Sequence, residues 1–171
     1  ESSLFGDLRY YKASYQHQYF WPITRDFTLA LNGQVDYGKG FGGKPYPLLK
    51  NLYGGGIGSV RGYEGGSLGA RDPRYGDSLG GAKRVIASAE LQLPFPGTQQ
   101  DRTLRWFTFV DAGNVYSDEQ NVNLGELRYS TGLGLSWQSP IGPLKISIGK
   151  AINPKPQDRT QMFQFQIGTG F

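Results

Sequence analysis

Cysteine is absent from this 171-residue sequence, and histidine and methionine each occur once. The first absence removes disulfides, thiolate metal sites and thiol redox chemistry. Long apolar runs are missing too. No stretch approaches the roughly 18 apolar residues of a membrane-spanning helix, and apolar residues make up only 37% of the chain. That lack does not exclude a membrane, because a transmembrane β-barrel needs only one lipid-facing residue in two and keeps a low mean hydropathy. Charge of one sign is nowhere concentrated. The net charge of +4 is spread along the chain, without the basic patch that nucleic-acid binding requires. The sequence begins at Glu1 with neither an initiator methionine nor a signal peptide, which we take as an internal start.

Glycine and aromatic residues, by contrast, are abundant. Fifteen of the 26 glycines lie between Gly38 and Gly81, and a connection of that length is usually either disordered or functional. Around this loop, seven segments alternate: Leu8–Trp21, Phe27–Tyr37, Lys83–Leu93, Leu104–Val115, Leu127–Trp137, Leu144–Lys150 and Met162–Phe171. In the second, Phe27, Leu29, Leu31, Val35 and Tyr37 share one face, and Thr28, Asn32, Gln34 and Asp36 share the other. In the third, Val85, Ala87, Ala89, Leu91 and Leu93 oppose Arg84, Ser88, Glu90 and Gln92. A period of two over about ten residues is the signature of a strand and the length of a tilted membrane-spanning one. Tyr11, Tyr19, Trp21, Tyr37, Trp137 and Phe171 lie near segment ends, as interfacial girdles do.

Alternation alone also fits a soluble antiparallel sandwich. The polar faces count against it, because they carry charge and small groups with little to fill a core. Connection lengths add to this. They alternate short and long, with the Gly38–Ala82 connection on the long side, matching the short periplasmic turns and long external loops of outer-membrane barrels. The fold expected is all-β, with about seven antiparallel strands of a transmembrane barrel. Single-chain bacterial barrels have an even strand number of at least eight, and an open edge in lipid leaves backbone groups unsatisfied. Residues 1–171 are therefore expected to be the C-terminal part of a larger barrel, with no closed monomer formed by this stretch alone.

Few motifs carry catalytic chemistry. Gly54–Gly58 is not followed by the Lys-Ser or Lys-Thr of a phosphate loop, and Arg61 stands where a dinucleotide fingerprint needs glycine or alanine. His17 lies among Tyr15, Gln16, Gln18 and Tyr19 in an alternating strand, with no nucleophile and acid to complete a triad. No catalytic residue, metal site or cofactor is expected. Arg61 is different. If the glycine loop folds into the barrel, its guanidinium needs carboxylate partners in a partly desolvated lumen. Strand parity puts Glu90 and Asp111 on the lumenal face of consecutive strands. Parity leaves open the alternative that Arg61 is solvated in an exposed loop and both carboxylates are unpaired.

Four stretches together are similar to the bacterial surface antigen superfamily of outer-membrane barrels. They are Gly54–Leu68 with its Val60-Arg61-Gly62-Tyr63 motif, Phe109–Tyr116 with Asp-Ala-Gly, the turn Trp137–Pro143 with Ser-Pro-Ile-Gly-Pro, and the ending Phe163–Phe171. The resemblance runs over essentially the whole sequence. It implies a 16-stranded barrel preceded by periplasmic POTRA domains, of which this chain holds the last seven strands and no POTRA domain. It also implies that loop 38–82 enters the lumen, where Arg61 contacts acidic wall residues, mapped here to Glu90 and Asp111.

The last segment sets Phe163, Phe165, Ile167 and Phe171 on one face, while Gly168 and Gly170 reduce packing near the end. Weak pairing there suits a strand that lets a barrel open sideways. In the family this seam is thought to receive incoming strands by β-augmentation, although a terminal Phe is equally an interfacial anchor. The function implied is a non-enzymatic factor that folds and inserts β-barrel proteins into the bacterial outer membrane. Its partners are the outer-membrane lipid bilayer, unfolded outer-membrane proteins and, through the absent POTRA domains, the lipoproteins of an assembly complex. The alternatives are a TamA-type sibling, a two-partner secretion transporter and a passive porin.

Overall fold

Period-two sequence with β-branched and aromatic residues forms strands because each side chain then finds a same-face neighbour on the pleated surface. The computed structural model describes residues 2–3, 9–97, 103–140 and 142–168. Its strands are β1 (Ser2–Ser3), β2 (Tyr10–Pro22), β3 (Thr28–Gly40), β4 (Gly62–Tyr63), β5 (Ala70–Arg71), β6 (Ser78–Gly80), β7 (Lys83–Pro94), β8 (Leu104–Tyr116), β9 (Arg128–Ser139), β10 (Gly142–Ala151), β11 (Thr160–Gln161) and β12 (Phe163–Ile167). The sheet runs in the order β1-β2-β3-β7-β8-β9-β10-β12, with antiparallel neighbours throughout. The order is linear, and β1 and β12 do not pair with each other among the described residues.

The seven long strands match the seven alternating segments closely. Two ends differ. β3 runs on to Gly40, because Gly38 lets the Tyr46 ring lie against the strand; a Cβ at Gly38 would meet that ring at 2.5 Å. The final strand stops at Ile167, where Gly168 takes φ +88° and donates its N–H to the Pro143 carbonyl at 2.8 Å. The expected strand residues Leu8, Gly170 and Phe171 lie outside the described residues.

The two faces of the sheet are inverted relative to a water-soluble protein. Val110, Leu133, Ile148, Phe163, Phe165 and Ile167 are all more than half exposed. Asp36, Glu90, Asp111, Ser130, Ser147 and Gln164 are buried on the opposite face. Among the described residues no helix is long and apolar enough to cross a membrane. Strands with one apolar face outward satisfy their backbone groups laterally and suit lipid instead. Tyr11 and Tyr37 stack on the outward face at 6.2 Å, and His17 is exposed beside Tyr15, their rings 6.4 Å apart.

What covers the polar face of β7 to β10 is the connection 41–82. It contains a 3-10 turn at Leu48–Lys50 and the short strands β4, β5 and β6. Val60, Tyr63 and Leu68 form a small apolar cluster with Val115 of β8, and Ala151 packs against it. A loop with its own core and bridges loses less chain entropy on docking than a free coil.

Candidate functional site: the docked Val-Arg-Gly-Tyr loop

Register places the wall residues in rows. Glu90 of β7 lies opposite Phe109 of β8, which lies opposite Gly132 of β9, itself opposite Gly149 of β10. One row along, Ser88, Asp111 and Ser130 are in line. A third row sets Gln92 beside Phe107, Gly134, Ser147 and, on β12, Gln164. Glu90 and Asp111 are thus diagonal neighbours on one face with Ser88 between them.

Arg61 sits over this corner. Its Nε and Nη2 donate to the two carboxylate oxygens of Asp111 at 2.7 and 2.8 Å, a bidentate fork. Its Nη1 donates to Glu90 at 2.6 Å, its Nη2 also reaches Ser88 Oγ at 3.1 Å, and its backbone N–H donates to Asp111 at 3.0 Å. Ser88 Oγ donates to Asp111 at 2.7 Å. Asp111 is wholly buried and Arg61 is 7% exposed. Burial by itself lowers the Arg61 pKa. The hydrogen bonds and charges of Asp111 and Glu90 outweigh it and hold the pKa above the ordinary arginine value. Lys145 of β10 adds a second cation, 3.5 Å from Glu90, so two carboxylates face two cations. Charges this deep are tolerated only when paired and hydrogen-bonded.

The floor of the site is aromatic. The guanidinium carbon of Arg61 lies 3.7 Å from the centroid of the Phe109 ring and 5.6 Å from that of Phe107, a cation–π arrangement in a dry setting. These rings approach the neighbouring wall closely because it has no side chains there. A Cβ at Gly134 would stand 2.2 Å from Phe107, and one at Gly132 would stand 2.7 Å from Phe109. Gly62 has φ +87°, and a Cβ on it would come within 3.2 Å of the backbone of Gly149 and Ala151. Glycine there gives both the left-handed turn and the close approach.

Tyr63 completes the motif. Its hydroxyl donates to the Tyr129 carbonyl at 3.3 Å, and Asn153 Oδ1 lies 3.5 Å from it. Burial is the main cause of a phenol pKa pushed up to about 12, with the nearby Asp158 charge adding to it. Val60 is fully buried in the apolar cluster. The terminal-strand residues divide: Phe163, Phe165 and Ile167 face outward and exposed, Gly168 caps the strand, and Gly170 and Phe171 lie outside the described residues.

Several contributors escaped the sequence reading. Phe107 and Phe109 lie on the polar face, against the simple rule of alternation. Arg128 of β9 forms a buried ion pair with Asp158 in the connection 152–159 and donates to the Glu126 carbonyl. Gln164 bonds to the loop backbone. Glycines sharing a face at alternate positions of β9 were the available signal for the rings, since such a bare surface needs something to cover it.

A sheet with an apolar outer face and a polar inner face roofed by its own loop is the construction of an outer-membrane barrel wall. The Omp85 superfamily domain matches residues 1–171, so the chain belongs to the Omp85 superfamily, and its place is the bacterial outer membrane. It is 41% identical, over 96% of its length, to the outer membrane protein assembly factor BamA of Neisseria meningitidis, and covers 24% of that protein. To BamA of Nitratidesulfovibrio vulgaris it is 30% identical over 86% of its length, covering 18% of that relative. The fold superposes on the crystal structure of BamA from Haemophilus ducreyi lacking POTRA domains 1–3, with a TM-score of 0.85, 33% identity and 93% of this chain covered. The chain spans about a quarter of the length of the first of these relatives.

Proposed function

We propose that this chain is the C-terminal part of the barrel of an outer-membrane assembly factor, which folds and inserts other β-barrel proteins without enzymatic chemistry. The POTRA domains and earlier strands belong to the rest of such a protein. In this reading the covered polar face is the lumen and loop 38–82 is its plug. Val60, Arg61, Gly62 and Tyr63 hold the plug on Glu90 and Asp111.

The observation that carries the reading is the buried, charge-paired loop that covers the inner face of β7 to β10. A passive pore needs its inner face clear, whereas here a buried, charge-paired loop fills it. β12 ends the order of this sheet. In this reading its outer edge is the seam with strands outside this sequence, an edge that accepts an incoming strand through main-chain hydrogen bonds when the seam opens. Phe163, Phe165 and Ile167 keep that strand apolar toward lipid, and Gly168 ends it. Unfolded outer-membrane proteins are the substrates and the bilayer is the medium. Assembly lipoproteins engage through the POTRA domains.

The test uses the intact parent protein in lipid vesicles and follows the folding of an unfolded outer-membrane barrel. Acceleration that falls by at least ten-fold in Arg61→Ala supports an insertase dependent on the docked plug. Absence of acceleration with steady ion conductance in planar bilayers overturns the reading in favour of a transporter or porin.

A further inference from the structure

We propose that Gln164 is a positioning residue that latches the docked loop to the terminal strand, so that loop and strand edge release together. The inference rests on the reading of β12 as the working edge. β12 pairs with β10 only from Leu144 to Ile148, half of the ten-residue β10. Its upstream end is held from a second direction. Gly62 and Tyr63 of the loop pair as β4 with Gln161 and Thr160 of β11, and the Glu64 N–H donates to the Arg159 carbonyl at 2.9 Å. The Gln164 side chain, 6% exposed, closes the contact. Its Nε2 donates to the Tyr63 carbonyl at 2.7 Å, and its Oε1 accepts from the Gly62 N–H at 3.4 Å.

The residue type matters. One planar amide offers a donor and an acceptor side by side, which a carboxylate cannot do and a hydroxyl matches only on a single atom. Without it, the buried Tyr63 carbonyl loses its side-chain partner, which costs more than the bond itself gains. Position matters equally. Arg61 is fixed to β7 and β8, and the next two residues are fixed to β11 and β12. A stretch of three consecutive residues therefore spans the wall from its acidic corner to its edge. Beyond Gln164, the residues Phe165, Gln166 and Ile167 have β10 and no loop contact among the described bonds. The strand thus divides into an upstream part held by both the loop and β10 and a downstream part held by β10 alone. A strand adding along this edge can draw residues 165–167 away from β10, and the separation stops at Gln164 while the loop stays docked. Coupling of this kind is reciprocal: release of the loop favours release of the strand by the same factor as release of the strand favours that of the loop.

Segment-resolved hydrogen exchange on the full-length protein in vesicles tests the latch. In Gln164→Ala, residues 60–64 are expected to exchange about ten-fold faster, the scale of losing a buried hydrogen-bonded partner. Gln166→Ala, on the same face two residues on, leaves them at the wild-type rate. Arg61→Ala, in turn, accelerates exchange at 162–168. Gln164→Glu keeps the shape of the side chain and removes the donor, so it uncouples the two segments even if the alanine variant folds poorly. Unchanged exchange at 60–64 in Gln164→Glu, or at 162–168 in Arg61→Ala, overturns the latch. Folding acceleration by the wild type without this exchange coupling sinks the latch alone. The coupling without acceleration sinks the assembly reading and leaves the latch standing.

Discussion

Two buried arginines fasten this structure, in opposite directions. Arg61 reaches from the loop to the wall, where its fork closes on Asp111, a residue in the middle of β8. Arg128 reaches from the wall, at the start of β9, to Asp158 in a connection, where the Lys155 N–H also donates to that carboxylate at 2.7 Å. The pairs are similarly buried. What differs is where the carboxylate is anchored. Asp111 cannot leave the sheet when its partner is lost, whereas Asp158 can turn toward water with its loop. An ion pair becomes a strong fastener when the group left behind has no way to resolvate.

The largest effect should therefore come from Arg61→Ala. It is expected to weaken loop docking by about 3–5 kcal/mol, the scale of leaving a buried charge unpaired. Arg128→Ala should cost less, about 1.5–3 kcal/mol, as for hydrogen bonds to a charged group. Protease accessibility of the loop and heat-induced unfolding in detergent measure both. Equal losses in the two variants would break the comparison.

Gly132→Ala separates the aromatic floor from the charges. Its Cβ would stand 2.1 Å from the Ile148 carbonyl and 2.7 Å from Phe109, so the β10 backbone and the ring beneath Arg61 must both move although no ionic partner is touched. A loss of about 1–3 kcal/mol is expected from such overpacking, read as faster exchange at Arg61 with the Arg128 contact intact. No change there would show that the carboxylates hold the loop by themselves.

The smallest effect tests the link between the two sites, Tyr63. Its phenol ionises near pH 10 when unfolded and near 12 when docked. The raised value means that its contribution is fully present below pH 10 and is lost as pH rises through 12. Loop release followed by a fluorescent label between pH 9 and 12 should thus be steeper in the wild type than in Tyr63→Phe. At neutral pH the same variant should lose only about 0.5–1.5 kcal/mol, a single neutral hydrogen bond.

The strands were legible because lipid and lumen impose period two, and only their ends depended on contacts made by distant residues such as Tyr46. Parity also put Glu90 and Asp111 on one face, and there they lie beneath Arg61. The aromatic floor was not legible, because Phe107 and Phe109 break the alternation that identifies the strand around them. The Arg128–Asp158 pair joins residues on two sides of a hairpin, and no periodic signal connects them. Gln164 was visibly on the inner face, but its partners are backbone groups of the loop, and these have no sequence signature.

The bare surface of β9 and β10 has a consequence for sequence drift. Gly132 and Gly134 form a mould whose negative is the pair of rings at 107 and 109. Neither half can change alone: a side chain in the mould collides with a ring, and a smaller ring leaves a void under a charge. Among relatives these positions should change together, so that gain of a side chain at 132 or 134 accompanies loss of bulk at 109 or 107.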